Sequence, residues 1–138
     1  MKIKAIFLTV IMLMLSLALV GCETKVSRDE AKGTIEAFLE AVEIGDFEAA
    51  KTYLHPEKPY VVEKFFNSVE ERAGVDFQKG IEIKRYTGFS TALYDSEIDG
   101  SDYELDMDII VDGFAIELSI EVVRNDAGYG IYEIDIDD

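Results

Sequence analysis

Cysteine and histidine occur once each in the 138 residues, proline twice and tryptophan not at all. A single cysteine excludes a disulfide within the chain, so stability has to come from packing. With one histidine and one cysteine there are too few ligands for a His/Cys zinc centre. Positive charge is scarce too: 13 Lys+Arg stand against 29 Asp+Glu, a formal net charge of −16. Phosphate binding needs a basic footprint, so nucleic acid is excluded as a partner. There is no Gly-rich phosphate loop, and nothing calls for a cofactor.

One long apolar run is present, and it stands at the start. Lys2 and Lys4 precede a stretch from Ala5 to Val20 that is polar only at Thr9 and Ser16. This order reads as the n- and h-regions of an export signal. The run leads into Leu19-Val20-Gly21-Cys22, which resembles the lipobox of bacterial lipoproteins. That resemblance implies removal of residues 1–21 and acylation of Cys22, holding the protein on the extracytoplasmic face of a bacterial membrane. Loss of the two lysines takes the formal charge from −16 to −18. Such a domain is repelled by anionic headgroups. Residues 22–27 form a tether whose free part reaches at most ~18 Å, and 28–138 form a single domain.

The domain opens with helical spacing. Ser27 and Glu30 make a capping box. Ala31, Ile35, Phe38, Leu39 and Val42 form one apolar stripe on a helix over 28–44. Gly45-Asp46 stops it and caps a second helix over 47–54, ended by His55-Pro56. A third helix carries Pro59 near its first turn, sends Val62, Phe65, Phe66, Val69 and Ala73 inward, and ends at Gly74.

From Gly80 the period becomes two. Ile81 and Ile83 mark a first strand, and Asp99-Gly100 and Asp112-Gly113 read as two-residue hairpin turns. The first turn sets Ala92 against Met107 and Tyr94 against Leu105; the second sets Val111 against Phe114 and Met107 against Leu118. A three-residue loop over 126–128 sets Val122 against Tyr132 and Ile120 against Ile134. The expected fold is α+β, with N-terminal helices on a curved antiparallel meander. The Ala31-x3-Ile35-x2-Phe38-Leu39-x2-Val42-x2-Gly45-Asp46-x2-Ala49-Ala50-x2-Tyr53-Leu54 pattern resembles the opening of nuclear transport factor 2-like domains, the cone shared by ketosteroid isomerase and polyketide cyclase relatives. The closing Gly128-Tyr129-Gly130-Ile131-Tyr132-Glu133-Ile134 resembles their last strand, without its usual tryptophan.

The resemblance implies a pocket between helices and sheet, where enzymes of this fold place an Asp, His or Tyr. Tyr53, His55, Tyr94, Tyr103 and Tyr132 are the candidates here. Phenols are poor bases at neutral pH, and His55 also fits a helix-capping role. The leading expectation is therefore a non-catalytic binding or interaction domain. The alternative is a small-molecule-binding or isomerase-like pocket protein. Residues 95–100 resemble the start of an EF-hand loop, but Asp102 and Asp106 stand where an apolar residue and a glutamate belong. The expected register also lines the outer sheet face with acids, opposing Asp95 to Glu104 and Glu97 to Asp102. Those four are candidate weak Ca²⁺ ligands, and the face as a whole is a candidate dock for a basic protein.

Overall fold

Residues 25–137 are described by the computed structural model. The lipobox and Cys22 lie outside them. Helix α1 (Arg28–Glu43) starts where the capping box puts it: Ser27 Oγ accepts from Glu30 N at 3.2 Å. Ala31, Ile35, Phe38, Leu39 and Val42 are all buried. Asp46 then caps α2 (Phe47–Lys51), its carboxylate accepting from Ala49 N at 3.0 Å.

The second helix is shorter than expected. Leu54 leaves it to form a parallel bridge with Ile131. Ile131 N donates to Tyr53 O and His55 N to Ile131 O, both at 2.8 Å. Backbone pairing across the sheet edge outbids another half-turn of helix. Pro59 falls just ahead of α3 (Val62–Ala73), near its first turn, and Gly74 ends that helix in the left-handed region (φ 70°). A 3₁₀ turn (Phe77–Lys79) drops Phe77 into the core.

Four antiparallel strands follow in sequential order: β1 (Ile81–Asp95), β2 (Gly100–Val111), β3 (Phe114–Asn125) and β4 (Gly128–Asp137). The helices pack on one face of this open sheet. The β2–β3 register is the one the Asp112-Gly113 turn predicts, with Val111 against Phe114, Met107 against Leu118 and Leu105 against Ile120. Both turn residues have positive φ, 51° and 83°, as a type I′ turn requires.

The β1–β2 register differs from the expectation. Asp95 faces Gly100 across a four-residue turn, and Ala92 faces Asp102 rather than Met107. Gly100 is a strand residue, glycine because a Cβ there would lie 2.1 Å from Arg124 O. The shift is four residues at Asp95 and five at Ala92, and the irregularity between them, where Tyr94 lies, reverses which side chains face inward. Tyr94, expected inward, is 64% exposed. The β3–β4 loop holds two residues instead of three, since Asn125 pairs with Gly128. A bulge at Tyr132 restores the count, so Val122 meets Ile131 while Ile120 still meets Ile134.

The interior lies between the helices and the inner sheet face. Phe66 sits at its centre, its ring 5.9 Å from Phe38, 5.2 Å from Phe65 and 4.9 Å from Phe77. Met107, Ile109, Leu118 and Ile120 close it from below.

Candidate functional site

The five candidate pocket residues are scattered. Tyr53 is half-buried against the core. Tyr103 is buried beneath Phe89, ring on ring at 5.8 Å. Tyr94 donates to Asp99 at 2.7 Å on the β1–β2 turn. His55 and Tyr132 do meet, edge to face at 5.2 Å. His55 is 1% exposed and fully bonded: Nδ1 accepts from Glu57 N at 3.1 Å, and Nε2 reaches Asn125 Oδ1 at 3.0 Å and Gly128 O at 3.2 Å. An acceptor Nδ1 makes Nε2 the protonated nitrogen. Asn125 Nδ2 in turn bonds Glu57 Oε2 and Ile98 O, each at 2.9 Å. His55 is thus the knot of a network joining the 53–57 loop to two hairpin ends.

An open concavity with an apolar wall lies elsewhere. A groove of about 560 Å³ runs between α3 and β4. Its helix wall is Lys64, Phe65, Ser68, Val69 and Arg72, one stripe at helical spacing; its strand wall is Ile134, Asp135 and Ile136. None of the five candidate residues lines it. Phe65 and Val69 are legible in the sequence as inward positions, and Val69 is buried, but nothing in the sequence signals that Phe65 stays partly open to a groove beside β4.

The outer sheet face is the second feature. Alternation puts Glu104, Asp106 and Asp108 of β2, Glu117 and Glu121 of β3, and Glu133, Asp135 and Asp137 of β4 on it. Acid faces acid directly in Asp108–Glu117–Asp137 and in Glu104–Glu121–Glu133. The oppositions of Asp95 to Glu104 and of Glu97 to Asp102 are not made. Instead β1 sets Ser90 against Glu104, Gly88 against Asp106 and Arg85 against Asp108, and Arg85 Nε bonds Asp108 Oδ2 at 2.6 Å. Asp95 accepts from Glu97 N within its own turn, and Asp102 accepts from Ala92 N. Among the described residues no group of three or more His, Cys, Asp or Glu could hold a metal ion.

Burial, reinforced by Asp102, Glu104 and Glu133, pushes the Glu121 carboxyl up to about 7 from 4.5. Burial and then Asp106 raise Glu104 as well. A carboxyl raised in the folded state favours folding below its unfolded value, and that contribution fades as pH climbs towards 7. Glu121→Gln is therefore expected to stabilise the protein at pH 8 and not at pH 4. The gain is on the order of 1 kcal/mol once solvent screening of a half-exposed group is allowed for. Urea melts at the two pH values measure it; an equal change at both would detach the effect from ionisation.

No family model, curated protein or solved structure matches the chain.

Proposed function

We propose that this chain is the precursor of a lipid-anchored bacterial protein, held on the extracytoplasmic side by Cys22. On this reading it displays a nuclear transport factor 2-like domain as a binding surface for a basic partner. The lipobox and its preceding apolar run support the anchor. The observation that carries the binding role is the row Glu104–Glu121–Glu133, three carboxylates opposed across adjacent strands. Like charges so placed destabilise a sheet, and a cationic partner relieves the repulsion. The inward tyrosines serve packing on this reading, and His55 serves the loop network.

The test has two arms. The full-length chain, expressed in bacteria with a fatty-acid analogue, should take up label and sediment with membranes, and Cys22→Ala should do neither. Label retained in the variant refutes the anchor. A lysine-rich probe peptide should bind the purified chain with an affinity that falls steeply with salt. Binding should weaken in Glu104→Gln/Glu121→Gln/Glu133→Gln. Salt-insensitive binding, or an unaffected triple variant, refutes the docking face.

A further inference from the structure

We propose that the partner engages as an extended segment added to the free edge of β4, lying in the groove against α3. The inference rests on the reading of the outer face as a dock for basic groups, and it adds the partner's conformation and side-chain pattern.

Strand β4 is the last of the sheet; the preceding loop engages it through the Leu54–Ile131 bridge, His55 Nε2 on Gly128 O and Tyr60 Oη on Tyr132 O, all ahead of residue 133. Among the described residues, no strand lies beyond residues 133–137. That leaves roughly 17 Å of edge at about 3.4 Å per residue. An uncovered edge presents backbone N–H and C=O groups ready to pair with another strand. Helix α3 stands across the groove from this edge, so an added strand would have a sheet on one side and a helix wall on the other. Strand addition in such a cleft draws affinity from the backbone and specificity from alternate side chains.

The two faces of β4 dictate the alternation. Ile134 and Ile136 are buried inward, whereas Glu133, Asp135 and Asp137 are exposed outward. Side chains of an added strand continue both faces. Inward positions meet Ile134 and Ile136 below and Phe65 across the groove, so they should be apolar. Outward positions lie beside the three carboxylates, so they should be lysine or arginine. The helix wall sharpens the choice: Lys64 lines it, and a cation at an inward position is repelled. Lys64 has no ion-pair partner among the described residues. The occupant is thus a peptide segment alternating apolar and basic residues. A second copy of this chain fits poorly, because pairing β4 with itself opposes Glu133, Asp135 and Asp137 to one another.

The test compares two peptides of equal composition on the full-length chain in nonionic detergent. One is Val-Lys-Val-Lys-Val-Lys-Val; the other carries the valines and lysines in separate blocks. The alternating peptide should bind about tenfold tighter, the combined worth of three opposite-charge cross-strand pairs. It should also slow amide hydrogen exchange within residues 133–137. Ser68→Trp fills the groove from an exposed helix position and should abolish the preference while leaving the melting temperature unchanged. Equal binding of both peptides, indifferent to Ser68→Trp, overturns strand addition and leaves docking on the acidic face standing. If neither peptide binds, both readings fall. A peptide-free dimer that Ser68→Trp disperses would make a second copy the occupant and overturn the proposal.

Discussion

Phe38→Ala is expected to cost the fold ~3–5 kcal/mol, a large share of the ~5–15 kcal/mol that holds a typical domain together. Phe38 is wholly buried on the inner stripe of α1. Its ring meets Phe66 at 5.9 Å and a tilt of 48°, and Phe66 meets Phe77 at 4.9 Å and 82°. Truncation therefore removes the burial of one aromatic and also undercuts a chain of ring contacts that links α1, α3 and the 3₁₀ turn. Helix α1 is pinned at its start by Ser27, and the bond from Ile81 N to Glu43 Oε2 at 2.8 Å ties its end to β1. With both ends held, the helix has little freedom to slide into the void. Residual cavity adds to the lost transfer energy, which places the cost at the upper end of the range. At about 4–8 °C per kcal/mol for a small domain, the melting temperature should fall by more than ~12 °C. Thermal denaturation followed by circular dichroism measures it. A midpoint within a degree or two of wild type would mean that Phe38 is not a core residue.

That much was legible in the sequence because Phe38 belongs to a five-member stripe on a capped helix. The same holds for β2 and β3, where Asp112-Gly113 has positive φ at both positions and the flanking residues alternate cleanly. Local chemistry and tertiary demand agree there. They disagree at Asp99-Gly100. The dipeptide looks identical, yet Gly100 is glycine because the Arg124 carbonyl of β3 presses on it. A contact between residues so far apart in the chain leaves no local trace. The register therefore takes Tyr94 out of the candidate pocket set and separates Asp95 from Glu104 and Glu97 from Asp102, the pairs on which the Ca²⁺ expectation rested. On β2–β4 the acidic face was legible, since alternation alone fixes it once the Met107–Leu118 and Ile120–Ile134 pairs are known. The groove was not: a stripe such as Phe65, Ser68 and Val69 does not say how far its partner strand extends. Nor was the role of His55, whose partners Asn125 and Gly128 come from the far end of the chain.

Gly130→Ala should destabilise the protein by about 2–4 kcal/mol, although it adds only a methyl group to a strand. A Cβ at Gly130 would stand 2.5 Å from His55 N, 2.5 Å from Leu54 C and 2.7 Å from Leu54 O. These are backbone atoms, and they cannot swing aside as a side chain does. They are held by the two 2.8 Å hydrogen bonds to Ile131. Relief requires the 53–55 loop to back off, which breaks both bonds at roughly 1 kcal/mol each. The same movement strains the buried His55, whose bonds to Asn125, Gly128 and Glu57 need the loop where it is. A buried polar network that is only partly satisfied is worse than none. Gly33 gives the contrast. It sits exposed within α1 with nothing within 4 Å of an added Cβ, so Gly33→Ala should stabilise by up to ~1 kcal/mol through helix propensity. Two Gly→Ala changes in one protein should thus move the melting temperature in opposite directions. Hydrogen exchange locates the damage: in Gly130→Ala the amides of His55 and Ile131 should lose protection while those of β2 keep it. Wild-type melting with the Ile131 amide still protected would show that the loop yields without loss, and that the 53–55 segment merely lies on the β4 edge without clamping it.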